Sequence, residues 1–371
     1  MTTLVSPDGA FGGPVRVAVN QTVALRARGH DAVLVAGARG HADGPPERVD
    51  GAPAHLFPAQ HLLPSTGFSG VVSPLLLRWL STALATADVV HVHLGRDLVT
   101  LPAAWLARRS GVPYVVQTHG MVVPTRNPLA GPLDALLTRR LLRGAAAVLC
   151  LTELERTQVQ SLVAEPLPLE VLGNGVPVAE DVPPLAFPPE VLFCSRLHPR
   201  KRPLLFAEAA RDLLRSGVDA SFVLVGPDEG EGAAVSRVVA EVGDEDRLRW
   251  EGPLEPALTL DRMRRSGLFV LPSVDEPMGM AVVEAMSVGR PVVVTSSCGL
   301  APMVTQTGCG IVVDESPEGL RDGIASVLSD RAGLQRRSPL ALRAARERYG
   351  MEPVAQRLEE LYGRAVRAGA A

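Results

Sequence analysis

Short apolar runs alternate with helix-period segments along the chain, the pattern produced when parallel strands are joined by crossover helices. In the first half the runs predict strands at Thr3–Ser6, Ala32–Ala36, Val89–His93, Tyr114–Gln117, Ala146–Leu151 and Leu169–Leu172. Pro14 suits a first helical position, so the first helix is expected to open there and to stop before Gly29. The alternation fails over 178–190, where Pro183, Pro184, Pro188 and Pro189 accompany Glu180 and Asp181, a composition typical of an exposed linker. A second alternating set predicts strands at Val191–Ser195, Ser221–Val225, Leu268–Leu271, Pro291–Val294 and Ile311–Val313. The fold class is therefore α/β, with two doubly wound, Rossmann-like domains expected to face each other across a cleft. The expected boundaries are 1–178 for the acceptor domain, 179–190 for the linker and 191–352 for the donor domain. A terminal helix over 353–371, with Val354, Leu358, Leu361 and Tyr362 on one side, is expected to cross back to the first domain.

Length agrees with two cores, because 371 residues exceed the size at which a single core usually stops growing. A formal charge of −3 gives no reason to expect nucleic acid, and Cys150, Cys194, Cys298 and Cys309 lack metal-ligand or disulfide-framework spacing. The most apolar window, 71–87, is interrupted by Pro74 and Arg78 and falls short of the ~20 residues needed to span a bilayer. No basic segment precedes an apolar run at the start, so a cytoplasmic location is expected. Basic side chains slightly exceed acidic ones up to residue 178, chiefly through Arg108, Arg109, Arg126, Arg139, Arg140 and Arg143. That cluster is either an ordinary solvated face or a surface for anionic lipid or a phosphate-bearing acceptor, which would place the protein peripherally at the inner membrane face.

Lys201 is the only lysine among 37 basic side chains. In so arginine-rich a chain, a lone lysine points to a place where a compact ammonium is wanted, such as a point charge on a phosphate. It lies in Ser195-Arg196-Leu197-His198-Pro199-Arg200-Lys201-Arg202, a turn after a predicted strand, and Arg196 and Lys201 together can neutralise a leaving diphosphate. Gly12 and Gly13 follow the first strand and precede a helix, where backbone can approach a phosphate. The loop is not a dinucleotide fingerprint, and the second strand ends without an acid for a ribose, which disfavours a nicotinamide dehydrogenase. His119, at the carboxyl end of its strand, is the candidate that faces the reacting sugar. His91 and His93 have no acidic or cysteine partner in sequence to complete a metal set. Asp244-Glu245-Asp246 has the form of a metal-binding motif but reads as a solvated turn. In Asp275-Glu276-Pro277-Met278-Gly279-Met280-Ala281-Val282-Val283-Glu284, a helix starting near Met278 would contain Glu284 and leave Glu276 in the loop before it, with helix amides between them.

These residues resemble glycosyltransferase family 4, retaining enzymes of GT-B fold marked by a glutamate pair with seven residues between. The resemblance spans nearly the whole chain: Gly12-Gly13 with Arg28-Gly29-His30, Val89 to His93, Pro113-Tyr114 with His119-Gly120-Met121, Asn174-Gly175-Val176, Arg196 with Lys201, Val225-Gly226-Pro227, the Glu276 to Glu284 segment and Gly289-Arg290-Pro291-Val292. It implies that Arg196 and Lys201 hold the diphosphate, with Gly12, Gly13 and Gly226 also against the donor. It further implies that Glu284 holds the ribose, that Glu276 with the backbone of Gly279, Met280 and Ala281 holds the donor sugar, and that His119 addresses the reacting carbon. The implied donor is a UDP-sugar or GDP-sugar, the acceptor a sugar, a lipid-linked sugar or a small molecule, and neither metal nor cofactor is required. The stretch from Pro113 to Met121 is most similar to enzymes of bacterial surface-polysaccharide synthesis. Met278 departs from the family's usual phenylalanine, and Pro302 stands where the family commonly has glutamate. Two alternatives stay open at this point: epimerisation of a nucleotide sugar on the same architecture, and non-catalytic sugar binding.

Overall fold

The structure is a computed structural model, and it describes residues 1–7, 12–42, 44–62, 67–125, 127–128, 130–181, 184–255, 258–276 and 278–370. The chain divides into two compact units, Met1–Gly175 with Met351–Ala371, and Val176–Gly350.

The first unit holds β1 (Thr2–Val5), β2 (Leu34–Ala38), β3 (Arg48–Val49), β4 (Ala52–Pro58), β5 (Gln60–His61), β6 (Val71–Val72), β7 (Val90–His93), β8 (Tyr114–Gln117), β9 (Ala147–Cys150) and β10 (Leu169–Val171). Two four-stranded sheets result, ordered β1-β2-β4-β3 and β10-β9-β8-β7, with β5 and β6 forming a small separate ribbon. Among the described residues, β3 pairs antiparallel with β4 and β6 with β5, and the remaining pairs are parallel. The His93 N–H donates to Met1 O at 2.9 Å, which sets β1 beside β7. Valines and leucines of β8 and β9 are buried on both faces, the signature of a sheet covered by helices on either side. One of those covers comes from the end of the chain. The helix Met351–Ala370 packs Val354, Leu358 and Leu361 against Leu25, Val115, Leu149 and Leu172. Ion pairs fix its register: Glu359 with Arg28 and His30, Glu352 with Arg28, and Glu170 with Arg357 and Arg364.

The second unit holds β11 (Glu190–Cys194), β12 (Ser221–Val225), β13 (Leu248–Trp250), β14 (Leu268–Leu271), β15 (Val292–Thr295) and β16 (Gly310–Val313). They form one parallel sheet, ordered β13-β12-β11-β14-β15-β16. The order reverses between β11 and its neighbours β12 and β14, so the loops leaving these three strands diverge at a switch point where doubly wound sheets bind ligands. The helix Pro203–Arg215 buries Phe206, Ala207, Ala210 and Leu213 beneath the sheet, and Phe206 meets Phe193 and Phe222 at ring separations of 5.7 and 6.1 Å. The stretch after residue 176 is packed on this unit, since the Ala179 N–H donates to Ser287 O and Leu185 is buried.

The four cysteines are free; Cys150, Cys298 and Cys309 are buried and Cys194 is partly so. No described helix is long and apolar enough to cross a membrane.

Candidate donor site and the loops that shape it

In the second unit the loop after β11 turns through Pro199–Lys201, ties the Lys201 N–H to His198 O at 2.8 Å, and reverses at Arg202, whose φ of 56° is left-handed. The loop after β14 reverses at Asp275, with φ 49°. Two contacts join them: the Val274 N–H donates to Arg200 O at 3.1 Å, and Arg200 Nη1 donates to Asp275 O at 3.4 Å. This coupling brings Lys201 Nζ into an ion pair with Glu276 Oε2. The two side chains keep only 12% and 10% of their surface exposed, so each needs the other's charge. The other oxygen, Glu276 Oε1, accepts from the Gly279 N–H at 3.3 Å, and Glu276 O accepts from the Gly299 N–H at 2.8 Å.

Gly279, with φ 66°, caps a helix running Met280–Ser287, which begins two residues later than the position near Met278 expected from sequence. The left-handed turn explains the delay: a Cβ on Gly279 would lie 3.3 to 3.5 Å from Val282, Glu276 and Leu271 side chains, so only glycine is at ease there. Val282 and Val283 N–H bond back to Gly279 O, leaving the amides of Met280 and Ala281 in the open first turn. Glu284 lies inside this helix, partly buried, and close enough to Cys194 that its charge helps burial push that thiol up to about 12. Met278 is buried, and Pro277 lies outside the described residues.

Arg196 follows β11, is more than half exposed, and pairs with Glu229 at 2.8 Å. Gly226, at the end of β12, is pressed onto that same loop: a Cβ there would come within 2.0 Å of Ser195 O. Arg196 and Gly226 are thus neighbours, as are Lys201 and Glu276, whereas Arg196 takes its carboxylate partner from the β12 loop instead of from Glu276.

In the first unit His119 sits just past β8 with φ 51°, a left-handed backbone for which histidine is tolerated but not favoured. Its Nε2 lies 2.7 Å from His93 Nδ1, the rings stack at 5.0 Å, and His91 stacks behind His93 at 4.7 Å. His91 Nδ1 in turn meets the Tyr362 hydroxyl at 2.6 Å. Burial lowers all three imidazoles, His119 to about 3, although His91 and His119 each keep part of their surface in solvent. No group of three potential metal ligands occurs among the described residues. Asp244 and Asp246 lie in an exposed turn, where Asp244 Oδ1 accepts from the Asp246 N–H at 3.1 Å.

Two side chains that sequence reasoning did not single out fix the His119 loop. Glu155 is 3% exposed and accepts from Thr118 Oγ1 (2.6 Å), the Gly120 N–H (2.5 Å) and the Leu151 N–H (2.6 Å), gripping the residues on both sides of His119. Arg96 donates to Met121 O, Val123 O and both oxygens of the buried Asp134, all within 3.0 Å. The signal for Glu155 was the run Thr152-x-x-Glu155 after a strand, a helix-capping pattern. Thr152 does accept from the Glu155 N–H at 3.1 Å, but the carboxylate is spent on the neighbouring loop. Gly12 and Gly13 open the helix Gly12–Ala27, and a Cβ on Gly13 would touch nothing within 4 Å. The loop residues 8–11 before them lie outside the described residues.

Comparison with known proteins identifies this architecture. Residues 12–175 match the "Glycosyl transferase 4-like domain" and residues 183–346 match "Glycosyl transferases group 1". The chain belongs to glycosyltransferase family 4 and is a glycosyltransferase of GT-B fold. It is 28% identical over 323 residues to a D-inositol 3-phosphate glycosyltransferase of Kineococcus radiotolerans, covering 76% of this chain and 73% of that protein. Among solved structures, a sucrose-phosphate synthase from Thermosynechococcus elongatus superposes with a TM-score of 0.73 at 18% identity, covering 99% of this chain and 100% of the other. Anabaena HepE in complex with UDP superposes with a TM-score of 0.72 at 18% identity, covering 98% and 99%.

Proposed function

We propose that the protein transfers a hexose from a UDP-sugar to an acceptor hydroxyl with retention of anomeric configuration, and that it does so without a metal. The reading rests on the buried Lys201–Glu276 pair beside the open first turn of Met280–Ser287. In this scheme Lys201 and Arg196 bind the diphosphate as two fixed cations and stabilise it as a leaving group, the work a divalent ion does in other transferases. Gly226 keeps the Arg196 loop close, because Ser195 O stands where a side chain would be. Glu276, already held by the Gly279 amide, accepts from hexose hydroxyls while the Gly279, Met280 and Ala281 backbone lies alongside, and Glu284 accepts from the ribose. His119, neutral because of its lowered pKa, offers its ring to the transferred sugar as a hydrogen-bonding group and not as a cation.

The departing diphosphate can take the acceptor proton as the new bond forms on the face it leaves, so the side chains need supply only position and charge. UDP is preferred over GDP because HepE, similar in fold, binds UDP. The proposed acceptor is a sugar, lipid-linked or free, of a surface polysaccharide or glycoconjugate, and the proposed location is the cytoplasmic side of the membrane.

The test is a panel of UDP- and GDP-sugars offered with simple sugar acceptors, with the product's anomeric configuration read by proton coupling constants. An α-linked product from an α-linked donor, formed equally well in the presence of a chelator, is expected. An inverted product, or activity lost to chelator and restored by manganese, would refute the scheme; release of a rearranged nucleotide sugar without acceptor would favour an epimerase.

A further inference from the structure

The helix Thr100–Arg109 and the helical run from Ala130 to Gly144 lie side by side on the first unit and leave a groove of about 330 Å³ between them. Its lining is Trp105, Arg108, Arg109, Leu136, Leu137, Arg140 and Leu141, with no carboxylate among them. Trp105 is 42% exposed and Leu136 64% exposed, a large outlay of apolar surface on a face otherwise made of arginine. In the π-helical turn Asp134–Thr138, Asp134 and Thr138 are buried while Leu136 between them is exposed. Arg108, Arg109, Arg139, Arg140 and Arg143 are all exposed, and among the nearby acids Glu165 is taken by Arg143 and Asp134 by Arg96. The Arg109 guanidinium stacks over the Trp105 ring at 5.4 Å, and Arg108 Nη1 donates to Arg140 O at 2.8 Å, so cations and indole form one patch. Arg126, which the sequence groups with them, lies outside the described residues.

We infer that this patch docks the protein on an anionic lipid bilayer, with Trp105 and Leu136 entering the headgroup region and the arginines on lipid phosphates. Charge alone would serve a soluble phosphate, but an exposed leucine and indole ringed by arginines suit a surface that is apolar beneath and negative above. The inference does not depend on the donor assignment, because none of these residues belongs to the donor site.

The full chain is sedimented with phosphatidylcholine vesicles, with and without phosphatidylglycerol, at low and at high salt. Binding to the phosphatidylglycerol vesicles alone, weakened by salt, is expected. Each arginine is expected to contribute about fivefold to partitioning. Arg109→Glu with Arg140→Glu should then lose at least about 25-fold. Trp105→Ala with Leu136→Ser should weaken binding while leaving its salt dependence unchanged. Arg237→Glu, on an exposed helix position of the second unit, should bind as the unaltered protein does. Unaltered melting temperatures show that the variants fold, and Arg109→Gln with Arg140→Gln replaces the reversal if it does not. The inference is overturned if the parent protein stays in the supernatant, if it binds both vesicles equally, if the patch variants bind like the parent, or if inorganic phosphate alone displaces it.

Discussion

Replacing Lys201 with alanine removes the only counter-charge found for the Glu276 side chain among the described residues. Breaking a buried ion pair from one side typically costs 3–5 kcal/mol, because the remaining charge is stranded. With both side chains at least 88% covered, and some water at the loop surface, a loss of about 3 kcal/mol is expected. In a unit of this size each kcal/mol moves the melting midpoint by about 2–4 °C, so the transition of the second unit should fall by about 6–12 °C. UDP affinity should fall roughly 10- to 100-fold, the value of one charge-assisted hydrogen bond to phosphate. Calorimetric melting and titration with UDP measure both quantities on one sample. Two further variants separate fold from function. Lys201→Met combined with Glu276→Gln, which removes both charges, should recover most of the melting temperature and none of the UDP affinity. Lys201→Arg retains charge but not shape, and should regain less than half of the lost binding energy. Lys201→Ala with unchanged melting and unchanged UDP binding would refute the reasoning outright, and full recovery by Lys201→Arg would remove the significance attached to a lone lysine.

Three other outcomes follow from the geometry. Glu155→Ala strips three donors around His119 of their acceptor and should lower kcat by about 10- to 100-fold with UDP affinity unchanged, Glu155→Gln being intermediate; equal kcat would show that the loop holds itself. His91, His93 and His119 are held neutral below their ordinary pKa near 6.5, so the unfolded chain binds protons that the folded one refuses, and stability should drop as pH falls from about 6.5 toward 3. Each contributes up to about 1.4 kcal/mol per pH unit, less for the partly exposed His91 and His119. Asp97, whose pKa burial raises, pulls the other way at the acid end, and a melting temperature that is flat between pH 6.5 and 5 would contradict the shifts. Gly226→Ala drives a methyl to within 2.0 Å of Ser195 O and should displace the Arg196 loop, seen as lowered UDP affinity; unaltered affinity would mean that the loop yields freely.

Most strands were legible because parallel strands buried on both faces read as unbroken apolar runs: Tyr114–Gln117, Ser221–Val225 and Leu268–Leu271 lie where the pattern put them. The others shift by one or two residues at their ends, as the second strand does from Ala32–Ala36 to Leu34–Ala38, because hydropathy does not mark where hydrogen bonding stops. β4 escaped notice since Ala52-Pro53-Ala54-His55-Leu56-Phe57-Pro58 carries two prolines, which interrupt a strand pattern. Its place beside β2, with only the two-residue β3 on its far side, leaves those missing donors harmless. β13, three residues at the sheet edge, was too short to show a period. At the site, Lys201, Glu276 and Gly279 were legible because chemistry and spacing are local to each loop. That Lys201 and Glu276 would meet was not, because it depends on Val274 and Arg200 joining two loops 75 residues apart in sequence. Glu155 and Arg96 were hidden for the same reason: a surface-type charge becomes an interior strut only once the tertiary structure places orphaned amides and carbonyls around it.

The terminal helix sets a timetable for synthesis. A chain emerging from the ribosome can close its second unit once residue 350 is free, but the first unit still shows Leu25, Val115, Leu149 and Leu172 to water. The part translated early is therefore completed only after the helix Met351–Ala370 has emerged, and loss of that helix would leave a folded second unit beside an open, aggregation-prone first unit.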